Sequence, residues 1–211
     1  MVTTVLLVRH ADVHNPKNIL YGRLPGFGLS KRGLKEAALL ARALAEEPIA
    51  AIYSSPLLRA RQTADIIARY HPGVPLHISK LLNEVRTSLQ GRPSEEIRSL
   101  GFDYYTRRPS PRDETLEQVF ARMDRLIRHL RRKHKGQTVL CVSHGDPICV
   151  VRLAYQGKPL DLQHLRGPDY PGKGSVTRLD FPSEAEADPV ISYFDLGRLF
   201  REAEIEVPQE A

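Results

Sequence analysis

Two short apolar runs in this chain end in histidine. Leu6-Leu7-Val8 is followed by Arg9-His10, and Leu140-Cys141-Val142 is followed by Ser143-His144-Gly145. Both runs read as buried strands, and ligands of α/β folds bind beyond the carboxyl ends of strands. A third run, ending Tyr53-Ser54-Ser55, leads to Arg59 in the first turn of the next helix. Two histidines and two arginines are thereby expected around one crevice. That set suits a phosphate. Arginine offers a planar fork of donors that matches phosphate oxygens. A neutral imidazole can attack phosphorus. Phosphoryl transfer rests mostly on positioning and on stabilising charge, which fixed cations supply. The leaving oxygen also needs an acid; Glu84 is the first candidate and Asp12 the second.

His10-Ala11-Asp12-Val13-His14 also has the spacing of an H-x-D-x-H metal cluster. A zinc or iron site needs three or four converging ligands, and His144 would have to join. Arg9 and Arg59 would repel a divalent cation, so no metal is expected.

The elements that must hold these residues alternate. Strands are expected near Thr4–Val8, Ile49–Tyr53, Leu76–Ile78, Thr138–Val142, Ser175–Phe181 and Val190–Phe194. Arg9 to Leu29 reads as loop, with Pro16, Gly22, Pro25, Gly26 and Gly28. Ser30 reads as the N-cap of a helix whose inner face is Leu34, Ala37, Ala38, Ala41 and Leu44. Further helices are expected from Ser54-Ser55-Pro56 to Tyr70, from Ser94 to Leu100, from Thr115 to Lys135, and from Pro147 to Tyr155. The pattern predicts a single three-layer α/β domain over residues 1–211. Its sheet should be mixed but mostly parallel, with helices on both faces and a frayed acidic tail at about 203–211.

With 211 residues the chain supports one sizeable core. No apolar run reaches the length of a bilayer span, and Met1–Val8 does not read as a signal peptide. Cys141 and Cys149 lie among apolar neighbours and read as core residues of a cytoplasmic protein. The net charge of +6 is concentrated in Arg122, Arg125, Arg128, Arg131, Arg132, Lys133 and Lys135. These share a helix with Val119, Met123, Ile127 and Leu130, which reads as a buried stripe with a solvated basic face. No aromatics are interleaved to stack bases, so neither nucleic acid nor membrane is an expected partner. His71, His77, His129, His134 and His164 are expected at the surface, and Tyr21, Phe27, Tyr104 and Tyr105 in loops near a substrate mouth.

The residues carry a family resemblance. Leu7-Val8-Arg9-His10 resembles the Arg-His signature of the histidine phosphatase superfamily, the phosphoglycerate mutase-like family. Ser54-Ser55-Pro56-Leu57-Leu58-Arg59-Ala60-Arg61-Gln62-Thr63-Ala64 is similar to its second signature, Leu81-Leu82-Asn83-Glu84 to its acid segment, and Val142-Ser143-His144-Gly145 to its closing motif. Leu29-Ser30-Lys31-Arg32-Gly33 fits its entry to the first helix. The resemblance implies that His10 is the nucleophile and carries phosphohistidine. It implies that Arg9, Arg59 and His144, with Gly145, bind the phosphoryl group and that Glu84 is the proton donor. Asn15 and Arg23 would complete the pocket. Ala11, Asp12 and Val13 depart from the family's usual glycine, Glu or Gln, and threonine. Alanine after the nucleophile would narrow the backbone's approach to phosphate.

The implied activity is metal-independent hydrolysis of a soluble phosphorylated small molecule, with no cofactor. A phosphoglycerate mutase, a phosphohistidine protein phosphatase and a non-catalytic phosphate-binding module are the alternatives. The chain is short for a mutase and shows no equivalent of the mutases' inserted segment. The sequence leaves substrate and homo-oligomer formation open. Specificity is expected in Pro16–Phe27 and Glu84–Arg112.

Overall fold

Along β1 (Thr3–Arg9) the side chains alternate between two cores. Leu6 and Val8 face one, Val5 and Leu7 the other. β4 (Thr138–Ser143), the parallel neighbour of β1, divides in the same way: Leu140 and Val142 lie on the first side, Val139 and Cys141 on the second. The remaining strands are β2 (Ile49–Ser54), β3 (Leu76–Ile78), β5 (Val176–Phe181) and β6 (Val190–Phe194). The sheet order is β3-β2-β4-β1-β5-β6. The first four are parallel, and β5 pairs antiparallel with both β1 and β6. This computed structural model describes residues 1–107, 110–182 and 188–195. The tail expected at 203–211 lies outside the described residues.

Helices cover both faces, as the alternating pattern predicts. α1 (Lys31–Ala43) and α2 (Leu58–Ala68) bury Leu40, Ala41, Ala60, Ala64 and Ile67 on the Leu6 side. α4 (Leu116–Lys133) and α5 (Gly145–Tyr155) bury Met123, Leu126, Ile127, Leu130, Ile148 and Val151 on the Val5 side. α4 opens with a capping box, Thr115 with Gln118, worth about 1 kcal/mol. The chain leaves β1 toward one face and β4 toward the other. The crevice between their carboxyl ends is therefore a topological switch point, where α/β folds bind ligands.

The segment from Glu84 to Arg112, hard to read in sequence, closes a third core. Val85, Leu89, Ile97 of α3 (Ser94–Ser99), Tyr104 and Tyr105 pack with Val119, Val150, Leu153 and Leu165 of α6 (Leu162–Leu165). Two elements had no clear sequence signal: α6 and a 3-10 turn over Lys80–Leu82. Among the described residues no helix is long and apolar enough to cross a membrane.

Several expectations are corrected. The inner stripe of α1 is rotated: Gly33, Ala37, Leu40 and Ala41 are buried, while Leu34 is exposed. Gly33 permits this facing: a Cβ there would lie 2.0 Å from the Asp12 carbonyl oxygen, so only a residue without a side chain can pack on that side. α2 starts at Leu58, later than Pro56, and α5 at Gly145, earlier than Pro147. His71 and His134 are buried rather than at the surface. His134 caps α4, meeting the Tyr53 hydroxyl at 3.0 Å and Gln137 at 3.2 Å. Arg122 leaves the basic face, donating to the Leu81 carbonyl at 2.6 Å and pairing with Glu114 at 3.0 Å. Cys141 and Cys149 are buried free thiols, and burial pushes the Cys149 pKa up to about 11.

Candidate active site

β1 delivers Arg9 and His10, β4 delivers His144, and the first turn of α2 delivers Arg59. His10, Arg59 and His144 are all essentially unexposed. The His10 backbone N–H donates to the Ser143 carbonyl at 3.1 Å, tying the two histidine-bearing strand ends together. The rings lie 5.1 Å apart, edge to face.

The hydrogen bonds settle both tautomers. His10 Nδ1 lies 2.8 Å from the Ala11 carbonyl, so it carries the proton and donates. Nε2 then holds the lone pair, and Arg59 Nε donates to it at 3.0 Å. Arg59 Nη2 lies 3.1 Å from His144 Nδ1 and donates to it, and also to the Gly22 carbonyl at 2.9 Å. His144 therefore carries its proton on Nε2 and donates to Ser55 Oγ at 2.9 Å. Ser55 in turn donates to Asn83 Oδ1 at 3.1 Å. Burial, then Arg59, push both imidazoles well below the ordinary histidine range. Both are neutral at neutral pH.

Two buried donors, Arg59 Nη1 and Arg9 Nε, have no partner among the described residues. Unpaired guanidinium N–H groups beside a basic imidazole nitrogen are the donors that suit an oxyanion. Tyr21 covers Arg59, its ring centroid 4.7 Å away, and stacks on Phe27. Arg9 Nη1 donates to the Pro171 carbonyl at 2.5 Å.

Glu84 Oε2 lies 4.0 Å from His144 Nδ1. Burial and the nearby Asp146 raise its pKa, against the pull of Arg59 and Arg9. It is the carboxyl suited to hold a proton. Asp12 is the opposite case. Burial opposes its ionisation, but hydrogen bonds from Lys173 and Ser30 prevail and its pKa is lowered. Asp12 is held as a carboxylate facing the start of α1.

The other sequence candidates build the rim. Asn15 spends both ends of its amide on Ile19, at 2.9 and 3.3 Å. Arg23 donates to the Glu84 carbonyl at 2.6 Å and to Glu114 at 2.8 Å, holding the Glu84 backbone in place. Gly145 leaves room for Tyr170, whose oxygen would be 2.2 Å from a Cβ there. The H-x-D-x-H residues diverge: His10 faces the crevice, Asp12 faces Lys173, and His14 is exposed. Ala11 turns its methyl into a small core with Leu29, Ala37 and Ile66. Tyr104 and Tyr105 are buried, with hydroxyls committed to Asp146. Sequence reasoning missed Ser55 as a partner of His144, although it lies in the quoted motif. It also missed Tyr170 and Pro171, which sit in a Gly- and Pro-rich stretch without a motif.

A family model described as the histidine phosphatase superfamily (branch 1) matches residues 5–187. An uncharacterised protein of Mycobacterium tuberculosis is 39% identical over 164 residues, 75% of this chain and 81% of its own length. Phosphoserine phosphatase 1 of Hydrogenobacter thermophilus is 32% identical over 164 residues, 74% of this chain and 77% of its own. Among solved structures, Bacillus stearothermophilus YhfR superposes with a TM-score of 0.80 at 27% identity, covering 92% of this chain and 96% of that one.

Proposed function

This chain belongs to the histidine phosphatase superfamily, and from that premise we propose that it hydrolyses soluble phosphate monoesters without a metal, through a phosphohistidine on His10. The observation that carries the reading is His10 itself. It is buried, neutral and fixed in one tautomer, with its free nitrogen aimed at Arg59.

The incoming phosphoryl group takes the Arg59 N–H that His10 Nε2 now accepts, and this frees the lone pair. Arg9 and Arg59 hold the phosphoryl oxygens, with His144 orienting Arg59 through the Nδ1 that accepts from it, while His10 Nε2 attacks phosphorus in line. The bond to the leaving oxygen breaks, and Glu84 gives that oxygen its proton. The Glu84 carboxylate then takes a proton from water, whose oxygen attacks the phosphohistidine. The P–N bond breaks, phosphate leaves, and His10 and Glu84 regain their starting states. The name of the Hydrogenobacter relative makes phosphoserine the first natural substrate to try.

The test is phosphate release from p-nitrophenyl phosphate and from phosphoserine in excess chelator, by wild type and His10→Ala. The expected result is chelator-resistant turnover that vanishes in the variant, with acid-labile phosphate trapped on the wild-type chain alone. Turnover abolished by chelator, or surviving in His10→Ala, would overturn the reading.

A further inference from the structure

Asp146 stands two residues beyond His144, in the first turn of α5, and is 1% exposed. The chemistry above uses it only as a nearby charge that raises the Glu84 pKa, yet its two oxygens accept five hydrogen bonds. Oδ1 accepts from the Tyr170 hydroxyl at 2.5 Å and from Arg166 Nη1 at 2.6 Å. Oδ2 accepts from the Tyr104 and Tyr105 hydroxyls, each at 2.7 Å, and from Arg166 Nη2 at 3.0 Å. The donors come from the segment that precedes α4 and the segment that follows α6. A buried carboxylate with a bidentate arginine and three hydroxyls is a strong, directional anchor. Burial opposes its charge, but Arg166 and the hydroxyls keep it ionised.

Tyr170 connects this anchor to the phosphate site. Its ring faces the Arg9 guanidinium, 5.2 Å from the guanidinium carbon to the ring centroid. The next residue, Pro171, supplies the carbonyl that accepts from Arg9 Nη1. The Gly174 N–H donates to the Arg9 carbonyl at 3.2 Å. Arg9 is thus held from one side by a single stretch of chain, and the stretch is pinned at Tyr170 by Asp146.

We propose that Asp146 is a positioning residue: through Tyr170 and the chain that continues to Pro171, it holds the Arg9 guanidinium at the phosphate site. An arginine side chain left loose would lose rotamer freedom on each binding event, whereas a pinned one has already lost it. The inference rests on the proposed function only in taking Arg9 as an oxyanion ligand.

The test uses orthovanadate, whose binding needs no turnover, with dissociation constants measured by vanadium NMR. Asp146→Asn and Tyr170→Phe are each made alone and combined with Arg9→Gln. Tyr170→Phe keeps the ring and removes only the hydroxyl, so it serves even where a buried asparagine disturbs folding. Each change is expected to weaken vanadate binding about tenfold in the parent and by less than about twofold in the Arg9→Gln background. A merely structural role would weaken binding equally in both backgrounds, and that result overturns the proposal. Unchanged affinity in Tyr170→Phe overturns it as well. A wild type that shows this coupling but releases no phosphate overturns the hydrolase reading and leaves the positioning role standing.

Discussion

Arg59 Nε donates to His10 Nε2 at 3.0 Å, so the residue that would bind the phosphoryl group also covers the nitrogen that would attack it. The contact keeps the lone pair occupied until an oxyanion competes for the guanidinium. The positive charge also lowers the His10 pKa, second only to burial. Replacing Arg59 by glutamine should therefore do two things at once. It should lower kcat/KM by about 10²-fold or more, as loss of an oxyanion donor does. It should also raise the His10 pKa, read from the imidazole resonances in an NMR titration. A lower kcat/KM with an unmoved His10 pKa would mean that the two residues are not coupled as the geometry has them.

Glu84 feels the charges of Asp146, Arg59 and Arg9, and His144 lies 4.0 Å from it. Its raised pKa makes it protonated at a higher pH than an ordinary glutamate, and activity that needs the proton is lost as pH rises through that pKa. Glu84→Gln should remove the descending limb of the kcat/KM profile. The loss should depend on the leaving group: about 10²-fold or more for an alkyl phosphate such as phosphoserine, and much less for p-nitrophenyl phosphate. Equal losses on both substrates would assign the proton to another group.

Burial of His10 and His144 as neutral rings also predicts how stability depends on pH. Both have folded-state pKa values below the unfolded value of about 6.5. Below that pH the unfolded chain takes up protons that the folded one refuses. Stability is thus full above the unfolded pKa and is lost as pH falls toward the folded values, by about 1.4 kcal/mol per pH unit for each ring. Urea unfolding across the acid range should show a shallower decline for His10→Asn than for wild type. Parallel curves would remove His10 from the account.

Ala11 occupies a position where the resembled family usually has glycine, and its methyl lies in the core with Leu29, Ala37 and Ile66. Ala11→Gly should cost about 1 kcal/mol or more of stability, through lost burial and a freer unfolded chain. The reaction should be unaffected. A rise in kcat/KM without loss of stability would show that the methyl does narrow the phosphate site.

The layered fold was legible because its signals are local. Strand-length apolar runs alternate with helical periods, and caps such as Ser30 and Thr115 mark where helices begin. The site was legible to the extent that its residues sit next to strand ends. His10 directly follows β1, and His144 directly follows β4, so strand order alone brings them into one crevice. Arg59 follows from the short connection between β2 and α2. The facing of α1 was not legible, because Gly33 against the Asp12 carbonyl is a contact between elements and leaves no periodic trace.

The sequence by itself determined the residue types available for phosphoryl chemistry, the family they belong to and the order of elements that carries them. Those properties depend on neighbours along the chain. Only the tertiary structure decided which carboxyl can hold a proton, since burial near Asp146 raises Glu84 while Lys173 and Ser30 lower Asp12. It alone decided that Asn15 and Arg23 spend their hydrogen bonds on the rim, and that Asp146, Tyr170 and Pro171 reach Arg9 from 137 to 162 residues away along the chain. The physical reason is common to all of these. A pKa and a hydrogen-bond partner are set by what lies within a few ångströms in space, and for these groups the neighbours come from remote parts of the chain.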